Sequence, residues 1–450
     1  MAFCRRLIPR AMLALYLAAA GLSLAGRVAL AQPAPASPAA APSAPSKNAE
    51  TQSAYKLPPE KLARAVALSR IRNVMDIVSS LWAIAVLWLL LATRTVARLQ
   101  AWAEIRSARR WLQGIWFFAA LIAILMAANL PLDLLSHIVS RNYGISVQSW
   151  AGWFGDEAKS LALAVAIGAP LLLLFNWVVR RWPRRYWLIA WGIAVPLVAL
   201  GLFASPFFEP FFNTFEPLSK DHADLVAQLE RVVERTGTDI PPERMFLMKA
   251  SEKTNGLNAY VSGLGATKRI VVWDTTAGRI PNDEILFVFG HESGHYVLNH
   301  IPKMFAGVSI SLFFIFWACA AWSGRLARRY GARWQLDKDG LGGRAGFVVL
   351  IFAVTAAGFV IEPIANNFSR HFEHEADIYG QEAIHGLVPD AQKTAVAGFN
   401  ALGEAWLEDP DPSPLVEFWL YDHPSVKTRA NFAAQYDPWT NGGKGQFFAK

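Results

Sequence analysis

Two histidines four residues apart with a glutamate between them, His291-Glu292-Ser293-Gly294-His295, are the side chains best suited to chemistry in this sequence. The surrounding run from Glu284 to His300 is largely apolar and follows Pro281, Asn282 and Asp283, residue types that start helices. The spacing therefore predicts a mostly buried helix. At 3.6 residues per turn both imidazoles share one face, close enough to bind one zinc ion, and Glu292 projects beside it where it can take a proton from water. A charged glutamate inside an apolar helix is costly without a nearby cation, which favours a metal over two ordinary core histidines.

A catalytic zinc needs a third protein ligand and an open position. The segment Ser369-Arg-His-Phe-Glu-His-Glu-Ala-Asp377 offers carboxylates four apart, Glu373 and Asp377, on a predicted helix. One can bind the metal while the other fixes the tautomer of a ligand imidazole. Spacing alone does not choose among Glu373, His374 and Glu375. Asn258 to Gly263 and Arg269 to Asp274 are short runs rich in β-branched and aromatic residues around Leu-Gly-Ala-Thr-Lys, which predicts a β-hairpin. His137, His222, His300, His371 and His385 have no partner at a telling spacing and are read as structural.

The elements that must hold these residues are those of a membrane protein. Of 450 residues, 54% are hydrophobic and only 17% charged, unlike a soluble globular chain. Apolar runs long enough to span a bilayer lie near 77–93, 114–131, 160–179, 186–204, 304–322 and 346–362. The formal charge of +8 does not indicate nucleic acid, because the arginines gather in short loops between these runs. Loops 94–110, 180–185 and 325–344 carry the Lys/Arg excess that marks the cytoplasmic side, whereas 132–158 carries only Arg141. Alternation then places segments 205–303 and 363–450 together on the opposite face. They form one domain closed by a helical hairpin.

The first 31 residues, with Arg5, Arg6 and Arg10 before an Ala/Leu-rich stretch ending in Ala-Leu-Ala, read as a secretory signal or a first membrane helix. The Pro/Ala-rich stretch after it reads as a disordered linker to residue 56. The expected plan continues with a multi-helix membrane domain (57–204), a first protease segment (205–303), a transmembrane hairpin (304–362) and a second protease segment (363–450). With cysteines only at 4 and 319, structural disulfides, thiolate metal clusters and cysteine catalysis are excluded.

Five ordered blocks resemble the integral-membrane zinc proteases of the CAAX prenyl protease 1 type, over about residues 75 to 437. They are PFFEPFFNTFEPL (206–218), Asn258-Ala259-Tyr260 with Gly263 and Arg269 to Thr275, HESGH, SRHFEHEAD, and Asp422-His423-Pro424 followed by Arg429. The resemblance implies a mainly α, polytopic fold with a zincin-like domain carrying a small β-hairpin or sheet. It implies one zinc held by His291, His295 and Glu373, with Asp377 behind them and Glu292 as general base. It further implies that His423 and Arg429 bind the substrate carbonyl or the developing oxyanion, and that the edge strand at Asn258, Ala259 and Tyr260 takes a peptide as an added strand. Ser293, His374 and Glu375 depart from the residues common at those positions.

The expected activity is endopeptidase cleavage of peptides or proteins at the lipid bilayer, in processing or quality control. Eukaryotic members face the cytosol, whereas the signal-like start and loop charges here point to a bacterial inner membrane with the catalytic face towards the periplasm. A rival reading is a chaperone-like or scaffold protein that binds extended chains and cleaves rarely. The intact set His291, Glu292, His295 and Glu373 speaks against it.

Overall fold

The computed structural model describes residues 53–440 and 442–448. The signal-like segment 1–31 and most of the expected linker lie outside the described residues. Six helices are long and apolar enough to cross a membrane: α1 (Pro59–Ala92), α3 (Arg110–Asn142), α4 (Trp150–Arg181), α5 (Tyr186–Phe208), α9 (His300–Tyr330) and α10 (Arg344–Ile384). Large apolar side chains point outward from them, Val74, Trp88, Phe314, Trp317 and Val360 among them, as a hydrocarbon solvent permits. Their inner faces pack around Phe117, Phe118, Leu121, Leu172 and Val348. α4 contains a π-turn at Ala164–Gly168, a local widening of the helix.

The loop 94–110 holds a helix, α2 (Thr95–Arg106), that composition did not announce. It meets the other arginine-rich loops at one end of the bundle. Gln100 Nε2 donates to Asp337 Oδ2 at 2.8 Å, Arg94 Nε to the Arg333 carbonyl at 3.2 Å, and Arg344 Nη2 to Gln113 Oε1 at 2.8 Å. Asn176 Nδ2 on α4 donates to the Gly342 carbonyl at 3.1 Å. The arginine-poor loop after α3 meets the other end. There Asn255 N donates to the Ile145 carbonyl at 2.9 Å, and Lys253 Nζ reaches Asp156 Oδ2 at 2.5 Å.

The part beyond that end combines a four-stranded sheet with shorter helices. The strands are β1 (Phe215–Pro217), β2 (Met245–Met248), β3 (Ala259–Ser262) and β4 (Arg269–Trp273), in the order β1-β2-β4-β3. β2 and β4 are parallel; the other pairs are antiparallel. The expected hairpin is β3-β4, and β3 is an edge strand. Against the sheet lie α6 (Ala223–Thr236), the single turn α7 (Asp274–Ala277) and α8 (Asn282–Val297). After α10 follow α11 (Ala391–Trp406), α12 (Pro414–Leu420) and α13 (Val426–Gln435). Phe287 of α8 is buried edge-on against Phe399 of α11, ring centroids 5.1 Å apart. Truncating such a side chain to alanine costs about 3–5 kcal/mol.

Residues 53–56, the last four of the expected linker, are docked onto this part. Ala54 N donates to Asn431 Oδ1 and Lys56 N to Asn400 Oδ1, each at 2.8 Å, and Tyr55 is buried. The aromatic ring supplies the apolar anchor that the preceding Pro/Ala-rich stretch lacks.

Candidate metal centre and active site

α8 begins after Pro281, held extended at φ −55° and ψ 150°, and carries Asp283 and Glu284 in its first turn, where the helix dipole favours negative charge. One turn apart near its other end, His291 and His295 direct their Nε2 atoms at each other across 3.2 Å. α10 crosses α8 here because neither helix has a side chain in the way. A Cβ added to Gly380 would lie 2.7 Å from His291 N, and one added to Gly290 would lie 3.1 Å from the Gly380 carbonyl oxygen. Two turns before Gly380, α10 brings in Glu373, with Oε2 3.3 Å from His291 Nε2 and Oε1 3.6 Å from His295 Nε2.

These spacings fit a zinc ion. Ligand bonds near 2.0–2.1 Å in a tetrahedron place donor atoms about 3.3 Å apart. Glu373 Oε2 is buried without a well-directed hydrogen bond, although His423 Nε2 lies 2.9 Å and Arg429 Nη2 3.7 Å away. A metal ion at the centre would give that buried carboxylate oxygen a direct ligand bond. Among the described residues this is the one group of three or more His, Cys, Asp or Glu with the spacing of a metal site.

The neighbours on α10 separate by direction, since consecutive helical residues point about 100° apart. Glu373 faces the two histidines, His374 packs its ring on Phe432 at 4.5 Å, and Glu375 turns to His300. Asp377 Oδ1 lies 2.8 Å from His291 Nδ1, the place from which a carboxylate fixes the tautomer that presents Nε2.

Glu292 lies between α8 and the edge of the sheet, beside the main chain of Val261. Burial, reinforced by Glu373 and opposed by His291 and His423, pushes its pKa up to about 7 in the metal-free chain. Burial alone would pull His423 down, but in the metal-free chain Glu373 and Asp422, the latter 2.9 Å from Nδ1, raise it to about 10. Burial lowers His295 to about 4, so it is neutral and free to bind metal.

Two groups of expected site residues make specific contacts. Arg429 engages Asp377: Nε and Nη2 donate to Oδ2 and Oδ1 at 2.9 and 2.5 Å. Planar guanidinium suits that bidentate contact, so Arg429 backs the carboxylate that backs His291. In the β3-β4 register Tyr260 faces Val271, and Trp273 N bonds the Asn258 carbonyl. Alternation then turns the main-chain groups of Asn258 and Tyr260 towards β4 and leaves those of Ala259 and Val261 on the free edge. The Tyr260 hydroxyl donates to Glu209 Oε2 at 2.8 Å, an atom that Arg269 Nη2 also holds at 2.6 Å. The place of Val261 on the free edge comes from strand register, which the sequence does not display.

Residues 219–437 match the sequence profile of peptidase family M48, and residues 45–214 match the CAAX prenyl protease N-terminal profile of five membrane helices. An uncharacterized metalloprotease of Bacillus subtilis, YhfN, is 32% identical over 381 residues, 84% of this chain and 86% of its own length. The chain belongs to peptidase family M48. It is a membrane metalloprotease of the CAAX prenyl protease type. CAAX prenyl protease 1 of Saccharomyces cerevisiae is 34% identical over 45% of each chain, and the Dictyostelium discoideum homologue 25% identical over 71% of this chain and 72% of its own. The crystal structure of S. mikatae Ste24p superposes with a TM-score of 0.69 at 25% identity, covering 83% of this chain and 90% of that one. Mainly helical, polytopic architecture with a small sheet is thus both expected and observed.

Proposed function

We propose that this metalloprotease is a zinc endopeptidase that cleaves extended polypeptide segments at the membrane, on the face opposite its arginine-rich loops. That face is the periplasmic side of a bacterial inner membrane. The observation that carries the reading is the triangle of His291 Nε2, His295 Nε2 and Glu373 at tetrahedral spacing, with Glu292 between it and an open strand edge. A zinc ion held by these three residues supplies Lewis-acid polarisation of the scissile carbonyl and of water.

The remaining work falls to the chain. Main-chain groups of Ala259 and Val261 pair with an extended substrate, which favours shape over particular side chains. Glu292 accepts the proton of the attacking water and returns it to the leaving amine. His423, with Nε2 2.9 Å from Glu373 Oε2 and Nδ1 2.9 Å from Asp422 Oδ1, donates to the oxygen on which negative charge develops. Asp377, backed by Arg429, keeps His291 in the ligating tautomer.

The test is cleavage of a peptide panel, each member with and without a prenyl group, by purified wild-type and Glu292→Gln protein in detergent, with zinc content measured on both. Both proteins should hold about one zinc, only wild type should cleave, and prenylation should matter little. Cleavage by Glu292→Gln at the wild-type rate would remove the base assignment. Zinc-loaded wild type that cleaves nothing would put a chain-binding role in place of a hydrolytic one.

A further inference from the structure

α8 does not continue into α9. Asn299, between them, sits at φ 57° and ψ 34°, a left-handed conformation that asparagine tolerates. The break turns His300 back against His295. His300 is fully buried, its ring tilted on Phe372 with centroids 4.6 Å apart. Its Nδ1 is 3.1 Å from His295 Nδ1 and its Nε2 3.0 Å from Glu375 Oε2. Thus the first imidazole of the centre meets a carboxylate directly, Asp377, whereas the second meets another imidazole and reaches a carboxylate through it.

We propose that His300 and Glu375 form the positioning relay of His295, fixing its tautomer and ring plane for metal binding. The proposal rests on reading His295 as a ligand through Nε2. A neutral His295 that gives Nε2 to a metal carries its hydrogen on Nδ1. Two N–H groups cannot face each other at 3.1 Å, so His300 Nδ1 is bare and accepts. The hydrogen of His300 is therefore on Nε2, where it donates to Glu375. The donations run in one direction, His295 to His300 to Glu375, and end on a charge that makes each link stronger.

The experiment compares wild type with His300→Phe, Glu375→Leu, Glu375→Gln, the double variant His300→Phe/Glu375→Leu, and His295→Ala, all full length in detergent. Zinc affinity is read by chelator competition, geometry by the visible bands of the cobalt(II)-substituted protein, and folding by the melting temperature. Loss of such an outer partner weakens metal binding about 10–100-fold. His300→Phe, which fills the same space, should show that loss and shifted cobalt bands. Glu375→Leu should weaken zinc, Glu375→Gln should stay near wild type because its amide oxygen still accepts, and the double variant should be no worse than His300→Phe.

Should His300→Phe fail to fold, the contrast between Glu375→Leu and Glu375→Gln decides, since the Glu375 side chain is 27% exposed and tolerant of change. Wild-type zinc affinity and cobalt bands in folded His300→Phe, or equal behaviour of the two Glu375 variants, overturn the relay. His295→Ala separates the two readings. If it keeps wild-type zinc, the metal-centre assignment itself fails; if it loses zinc while His300→Phe and Glu375→Leu keep it, only the relay fails.

Discussion

Substituting Gly380 by alanine asks whether the crossing of α8 and α10 sets the metal geometry. The new Cβ would lie 2.7 Å from His291 N, 3.0 Å from its Cα and 3.1 Å from its Cβ. Ordinary contact begins at about 3.4–3.5 Å, so the helices must part by roughly 0.7 Å. The nearest obstructing atoms are main chain, and no rotamer change relieves them. Glu373 is two turns away on the same continuous helix, about 10 Å, so the displacement reaches its carboxylate. The Glu373 to His291 spacing is 3.3 Å, and a zinc centre tolerates only about 0.2 Å of misfit in its bonds. The expected result is a stability loss of about 1–3 kcal/mol from overpacking and zinc binding weaker by about 10–100-fold. Chelator competition and thermal melting measure the two effects. Gly155→Ala on α4, where a Cβ meets nothing within 4 Å, is the control and should change neither. Wild-type zinc affinity and melting temperature in Gly380→Ala would refute the argument that backbone contact positions the third ligand.

His423→Ala should lower kcat by about 10²–10³-fold while leaving zinc content intact, as expected of a donor to developing negative charge; an unchanged kcat removes that role. Val261→Pro deletes a free-edge N–H without breaking the β3-β4 ladder, so kcat/KM should fall with the fold retained, whereas Tyr260→Pro should lower the melting temperature as well. If Val261→Pro cleaves as wild type, the substrate strand docks elsewhere. In the metal-free chain burial lowers the His291 pKa, but Asp377 and Glu373 overcome it and raise it from 6.5 to about 9. Zinc must displace that proton, so apparent affinity should rise about tenfold per pH unit up to about pH 9 and then level. The same proton supports the metal-free fold fully below 6.5, and that contribution fades as pH rises through 9. Calorimetry in buffers of different ionisation enthalpy should register about one proton released at pH 7, and none released would contradict the assignment.

Much of this was readable in the residues, for identifiable reasons. The spans and the α8 motif are local and periodic, so apolar run length and a four-residue spacing suffice to find them. β1 and β2 escaped because they are three and four residues long and gain their stability only from partners far along the chain. The choice of Glu373 over His374 and Glu375 depends on the rotation of α10, set by the contact at Gly290 and Gly380. His300 was read as structural because helical spacing assumes an unbroken helix, and Asn299 breaks it. Arg429 could be placed near the site by resemblance, but its engagement with Asp377 is a contact across 52 residues that no local pattern encodes.

The proposed ligands stand on both sides of the last two membrane helices: His291 and His295 precede α9, and Glu373 comes near the end of α10. A ribosome delivers them at different times. Until α9 and α10 have both been inserted, the chain holds two of the three proposed ligands, with a base but no complete centre. Failure of either helix to cross would strand Glu373 on the wrong side of the bilayer. With these three residues as the ligands, completion of the topology would be the event that assembles the metal centre.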